Sequence, residues 1–289
     1  MSLEALIETA WSEHGDQPQA VAEKLAAARL EVKLPVQVAP YARIVTHVFG
    51  EHLGQWHQGI ALLQSLRLVP GVADDAATIG AIARSVATLR HAGDTGEALE
   101  ELSLEDRVAV LAASSSALAA RGEHGRAVAA YGAALEFAAP GLPAGSPALR
   151  ALAVGGNNLA AALEEKKERT DAESAGMVAA AEGGLKYWTL AGTWLEEERA
   201  EYRLARSLLC AGRATEAVEH AEKCVEICER NRAPAFEKFF GAAALALALR
   251  AAGDAPGFTH AREAALAQHA QVPAEEKEWC AGDLQALEG

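Results

Sequence analysis

Apolar residues recur along this chain at spacings of three and four, in stretches interrupted by a glycine followed by a polar residue. The clearest copy spans residues 200–231 and has its glycine at Gly212. Large or small apolar residues form one stripe before that glycine and one after it: Leu204, Ala205, Leu208, Ala217, Ala221 and Cys224. Such spacing places each stripe on one face of an α-helix. We therefore predict two antiparallel helices that dock closely through these faces.

The same arrangement recurs elsewhere in the chain. A second good copy runs through residues 108–140, with its equivalent positions at Leu111, Ser115, Leu118, Gly122, Ala127, Tyr131 and Ala134. Weaker copies surround Gly15, Gly54 and Gly253, and another places Ala98 five residues after Gly93. A further helix pair contains Asn157 and Asn158, but a charged run at residues 164–173 replaces its turn glycine.

These repeats resemble the tetratricopeptide repeat (TPR), a helix pair of about 34 residues. The resemblance implies an all-α, right-handed superhelix of about seven stacked antiparallel helix pairs, in which residues 1–289 form one repeat domain. The Pro/Gly-rich segment 140–147 is the best candidate for an internal break, because proline cannot continue a helix. The family implies a scaffold that binds a protein or peptide in a concave groove lined by first helices, and not an enzyme.

Composition narrows the class of partner. Alanine-rich stretches and an aromatic content of 5% favour closely packed helices over strands. The net charge of −14 opposes binding to nucleic acid or to an anionic membrane. The first residues lack the pattern of a signal peptide, and four scattered cysteines do not make a disulfide framework. We expect an acidic cytoplasmic protein with reduced thiols.

One helix face is basic in this acidic chain. Arg199, Tyr202, Arg203 and Arg206 follow the spacing i, i+3, i+4 and i+7 in the first helix of the clearest copy. Guanidinium groups bind carboxylates in a bidentate manner. We therefore predict that this face binds an acidic peptide segment or a terminal carboxylate.

Asn157 and Asn158 occupy the equivalent face of the preceding first helix, where their amides can bond to a peptide backbone. The set resembles in part the carboxylate clamp of chaperone-binding TPR domains. Asn158 matches the middle asparagine of that clamp, and Arg199 and Arg203 match its basic positions. Ala112 and Ser116 stand where the clamp has lysine and asparagine, so binding of a chaperone tail is not implied.

Other interpretations remain open at this stage. The arginines could pair with Glu196, Glu201 and other carboxylates on a solvated face, or they could contact another subunit of a homo-oligomer. The chain could also be a ligand- or peptide-responsive regulator that acts through a separate effector partner.

Signals for catalysis or cofactor binding are weak. The sequence has no phosphate-binding glycine loop, HExxH motif or GxSxG motif. His220, Cys224 and Cys228 share a helix face, but Cys224 is also a packing position and a fourth metal ligand is missing. His47, His52 and His57 recur every five residues, which distributes them around an α-helix. We predict no metal site and no cofactor.

Overall fold

The structure is a computed structural model that describes residues 2–94 and 99–288. The regular elements in these two ranges are all helical, which confirms the predicted all-α fold. The chain forms two compact units, Met1–Gly155 and Gly156–Gly289.

The first unit contains seven complete α-helices within the described ranges and the beginning of an eighth. Their bounds are α1 Leu3–Glu13, α2 Pro18–Ala27, α3 Pro35–Thr46, α4 Trp56–Ser65, α5 Ala76–Ala92, α6 Leu104–Ala120, α7 His124–Ala138 and α8 Pro147–Glu165. A turn of π-helix, His47–His52, continues α3, and short 3₁₀ turns occupy Ala28–Glu31, Leu66–Leu68, Val72–Asp74 and Leu99–Glu101.

The second unit contains the end of α8 and the remaining helices. Their bounds are α9 Asp171–Ala191, α10 Trp194–Cys210, α11 Ala214–Arg230, α12 Ala235–Ala251, α13 Ala255–His269 and α14 Ala281–Glu288, with a 3₁₀ segment at Ala274–Cys280.

The two best repeat copies are the helix pairs α6–α7 and α10–α11, and the helices of each pair pack on one another. Gly122 and Gly212 stand in the two turns with φ of 75° and 74°, a left-handed conformation that glycine adopts without a steric penalty. The predicted facing positions of α10 and α11 are all at most 2% exposed. The tyrosine of the other copy, Tyr131, is also buried and donates to the carbonyl of Leu152 over 2.8 Å. Both copies are confirmed.

The predicted pair without a turn glycine is also present, as the consecutive helices α8 and α9. Arg169 closes the end of α8, because its Nη1 donates to the carbonyl oxygens of Leu163 at 2.8 Å and Lys166 at 2.7 Å. Thr170 and Glu173 then form a capping box that begins α9. The side chain of Arg169 thus bonds the carbonyl groups at the end of α8, which backbone N–H groups bond in the turns that contain a glycine.

The copy at Gly93 is the least complete. Gly93 ends α5, as expected, whereas Ala98 lies outside the described residues. Among the described residues, only the 3₁₀ turn Leu99–Glu101 lies between α5 and α6, in the place of a second helix. The other α-helices up to α13 form six consecutive pairs. The hand of the superhelix stays a prediction.

The Pro/Gly segment 140–147 connects α7 to α8, whereas the boundary between the compact units lies inside α8, after Gly155. A single domain with a break at 140–147 therefore stays a prediction.

The expected scattering of the histidines is wrong for His47 and His52. In an α-helix, residues five apart are rotated by about 140°. The segment that carries them is a π-helix, in which Leu53 N donates to Val48 O, five residues back, over 3.1 Å. The two imidazoles therefore meet, with 3.2 Å between their Nε2 atoms, whereas His57 lies exposed in α4.

Candidate functional site

Four side chains of α10, Arg199, Tyr202, Arg203 and Arg206, are named here the α10 strip. Thr193 and Glu196 form a capping box that begins the helix at Trp194, five residues before the first of them. The strip lies on one helical face, as its spacing predicts. Each of its members contacts a carboxylate from another helix.

Arg203 binds Glu164, which lies near the end of α8. Ser207 donates to the second oxygen of the same carboxylate over 2.6 Å. Burial raises the pKa of Glu164, although the charge of Arg203 and the hydrogen bond from Ser207 lower it. This pair is therefore an internal link between α8 and α10.

Arg199 binds Glu237 in the first turn of α12. Its Nε lies 3.3 Å from Oε2 and its Nη2 contacts Oε1, so the contact is bidentate. The hydrogen bonds to Glu237 raise the pKa of Arg199. The Arg199 side chain is still 56% exposed, whereas Glu237 is 7% exposed. Of the three arginines, Arg199 presents the most surface to solvent.

Tyr202 and Arg206 share one partner, Asp283 of α14. The Tyr202 hydroxyl lies 3.2 Å from each carboxylate oxygen, and Arg206 Nη1 forms an ion pair with Oδ1. Burial lowers the pKa of Arg206, but the surrounding groups, first Tyr202 and then Asp283 and Glu164, raise it above its ordinary value. Asp283 is 81 residues from Tyr202 in the sequence.

These contacts correct the picture of an open basic face. The guanidinium groups form ion pairs with carboxylates of α8, α12 and α14. Glu196 instead caps α10, and Glu201 pairs with His220. The α10 strip and its partner carboxylates therefore connect four helices, α8, α10, α12 and α14.

The asparagines lie on α8, and both are partly exposed. Asn157 precedes Glu164 by seven residues, so the two share one helical face. The clamp positions that depart from the family pattern, Ala112 and Ser116, are 0% and 4% exposed and offer no surface to a ligand. The structure thus associates the α8 face with the strip through Glu164.

A buried carboxyl group lies behind the strip. Glu198 of α10 is 1% exposed and accepts from Cys224 Sγ of α11 over 2.9 Å. Burial raises the pKa of Glu198 to about 7, and the charge of Glu237 adds to the rise, against the effect of Cys224.

The proposed alternative of a metal site at His220, Cys224 and Cys228 gains no support from these contacts. His220 faces Glu201, while Cys224 faces Glu198. The hydrogen bond with Cys228, burial and Glu198 all raise the pKa of the Cys224 thiol, so the thiolate that a metal requires is disfavoured.

The sequence analysis missed the three partner carboxylates. Glu164 could have been found from its seven-residue spacing from Asn157, and Glu237 from its place in the first turn of a first helix. The residues around Asp283 do not indicate its role, because α14 is a short helix outside the repeats.

No helix within residues 2–94 and 99–288 combines the length and apolar character that crossing a membrane requires.

No protein-family model matches the chain, and no curated protein matches it. Among solved structures, it is similar to the nearly identical TPR-like repeats assigned to a kinesin light chain of Podosopora anserina, with 18% identity over 83% of this chain and 98% of that chain, at a TM-score of 0.49. A single-substitution variant of those repeats is similar at 18% identity over 85% and 96% of the two chains, also at 0.49. Successive helix pairs, turn glycines and small-residue faces within this chain itself make its fold TPR-like.

Proposed function

We propose that this chain is a protein-binding scaffold whose α10 strip binds an acidic amphipathic segment of a partner protein. The supporting observation is that the strip already holds such a segment, the chain's own α14, through Asp283.

The contacts of α14 indicate the chemistry of the segment that fits. Asp283 turns its carboxylate to Tyr202 and Arg206. Leu287 is 2% exposed in a core cluster to which Leu284 also contributes. A short helix with a carboxylate on one side and leucines on another therefore suits this surface, as amphipathic helices suit grooves in other proteins.

The strip has donors beyond those that Asp283 uses. Arg199 is more than half exposed, and Glu237 occupies only two of its five N–H groups. A partner segment longer than α14 would reach the Arg199 guanidinium and the partly exposed Asn157.

The test uses a fluorescein-labelled peptide of residues 277–288 and the full chain carrying Asp283→Asn. The substitution weakens the internal copy of the segment, so more chains have the strip free for the peptide. We expect micromolar binding by fluorescence polarisation, about tenfold tighter than to the unmodified chain. Added NaCl should weaken this binding.

Two matched controls accompany this measurement. A peptide with asparagine in place of Asp283 should bind at least several-fold more weakly, about 1 kcal/mol for one charged contact. Adding Arg206→Gln to the Asp283→Asn chain should abolish the gain, whereas Arg213→Gln, the same charge change at the N-cap of α11, should not. Equal binding of the two peptides, or an equal effect of the two arginine substitutions, would contradict the proposal.

Arg203→Ala is unsuitable for this experiment, because it leaves Glu164 buried and unpaired. Breaking one side of a buried ion pair destabilises a protein by about 3 kcal/mol or more. A loss of binding in that variant would not be distinguishable from a loss of structure.

A further inference from the structure

Three imidazoles from two distant segments meet in the first unit. His14 is the residue that ends α1, and His47 and His52 lie in the π-helical turn after α3. Their ring centroids are separated by 4.7 Å, 4.9 Å and 4.8 Å, a nearly equilateral triangle. This cluster is named here the histidine triad.

The triad has the dimensions of a metal site. One nitrogen of each ring can be chosen so that the three lie within 4.8 Å of one another. The Nε2 atoms of His47 and His52 are 3.2 Å apart. Two histidine nitrogens on a tetrahedral zinc ion, each about 2.05 Å from the metal, lie about 3.3 Å from one another. The observed separation of His47 and His52 therefore matches that of two zinc ligands.

A carboxylate stands behind one of the rings. Glu51 Oε1 lies 3.0 Å from His47 Nδ1, which leaves His47 Nε2 directed at His52. Metal-binding histidines almost always donate their second ring N–H to such an acceptor, which sets the tautomer and holds the ring. Glu51 is such an acceptor for the Nδ1–H group of His47.

A second feature points to a missing ligand. The Nδ1 atom of His14 is buried and has no hydrogen-bond partner in the described part of the chain. Buried polar atoms of this kind are uncommon in proteins and call for a partner such as an ion or water.

Two charged side chains, Arg121 and Glu51, lie beside the triad. Arg121 Nη1 donates to the main-chain oxygen of His52 over 2.9 Å. Glu51 offsets this cation beside the site.

The π-helical turn brings His47 and His52 together in the triad. A regular α-helix would turn His52 away from His47, as noted above. Single π-helical turns inserted in α-helices are frequent at functional sites.

We propose that His14, His47 and His52 bind a divalent transition-metal ion of the zinc class, with the fourth coordination position open to water or to a ligand. Three imidazole ligands suit zinc and its borderline neighbours, whereas calcium and magnesium prefer oxygen. The ion would tie the end of α1 to the turn after α3.

The experiment uses the full chain without an affinity tag. Isothermal titration with Zn²⁺ should give one site per chain, and Co²⁺ should give the visible absorption of a four-coordinate ion. Protons should be released on binding, because acid competes for the imidazoles. Metal should also raise the midpoint of thermal unfolding.

Matched variants locate the ion. His52→Gln and His14→Gln should each lower the Zn²⁺ affinity at least tenfold and remove the Co²⁺ absorption. His57→Gln, at an exposed histidine of α4, should leave both unchanged, as should Cys224→Ser with Cys228→Ser.

A further variant covers the case in which a ligand substitution prevents folding. Glu51→Gln retains all three imidazoles and should lower the affinity about 10- to 100-fold by removing the support of His47. Absence of Co²⁺ absorption with the unmodified chain, or undiminished affinity in folded His52→Gln or in Glu51→Gln, would overturn the proposal.

Discussion

Glu198 shows how burial sets the chemistry of a single residue. Its carboxyl group is enclosed between α10 and α11, and its Oε2 atom is buried without a hydrogen-bond partner among the described residues. Burial raises its pKa to about 7, so the folded state favours the protonated form below that pH. Ionisation of this group therefore opposes folding.

The first prediction concerns Glu198→Gln. The folded-state pKa lies above the unfolded value of 4.5, so stability falls as the pH rises from about 4.5 to about 7 and stays reduced above it. Glutamine avoids this cost, and we expect the variant to gain about 1 to 3 kcal/mol at pH 8 and little at pH 4. Urea unfolding at both pH values measures the difference.

Glu197→Gln, one residue away and partly exposed, is the control for that measurement. A gain at pH 8 that is equal in the two variants would show that net charge, and not the buried group, is responsible.

At the scale of the elements, close approach of two helices depends on a missing side chain. Gly155 of α8 lies against α6, where an added Cβ would be 2.7 Å from the main-chain oxygen of Ala112. The obstacle is backbone, which cannot rotate away as a side chain can. This glycine therefore allows α6 and α8 to pack at short distance.

The second prediction compares Gly155→Ala with Gly132→Ala. Alanine favours a helix interior over glycine by up to about 1 kcal/mol. At Gly132 of α7 a Cβ would meet nothing within 4 Å, so we expect a gain of about 0.5 to 1 kcal/mol. At Gly155 we expect a net loss of about 1 to 3 kcal/mol from overpacking. Thermal and urea unfolding give both values, and stabilisation by Gly155→Ala would refute the close-packing explanation.

At the scale of the whole molecule, opposing titrations determine the pH of greatest stability. The raised pKa values of Glu198 and Glu164 reduce stability as the pH rises above about 4.5. In contrast, the hydrogen bond from Lys166 lowers the pKa of Glu173 to about 2, so the stability it contributes is lost as the pH falls below about 4.5. His52, with its lowered pKa, opposes folding as the pH falls below 6.5.

The third prediction is a stability maximum on the acidic side of neutrality. The shift of Glu198 is large and Glu164 acts in the same direction, so we expect these two to outweigh His52 and to place the maximum at about pH 4.5 to 5.5. The sequence pI of about 5.1 also minimises charge repulsion there. Unfolding midpoints by circular dichroism from pH 3 to 9 measure the profile. A maximum at pH 8 would contradict this balance.

The amino-acid sequence alone determined the helix pairs of this protein. Residues three and four apart share a helix face whatever surrounds them, so the stripes around Gly212 and Gly122 were sufficient to place α10–α11 and α6–α7. Glycine's freedom at positive φ is equally local. The α10 strip was located for the same reason, because its four members lie within two turns of one helix.

Tertiary structure alone decided what those side chains meet. Glu164, Glu237 and Asp283 lie 39, 38 and 77 residues from the arginines they neutralise, and helical periodicity carries no information over such distances. The histidine triad likewise required His14 to arrive from another helix and the backbone to leave α-helical geometry at His47–His52. Local patterns fix which residues share a face, while packing between distant segments determines the charge and the chemistry of that face.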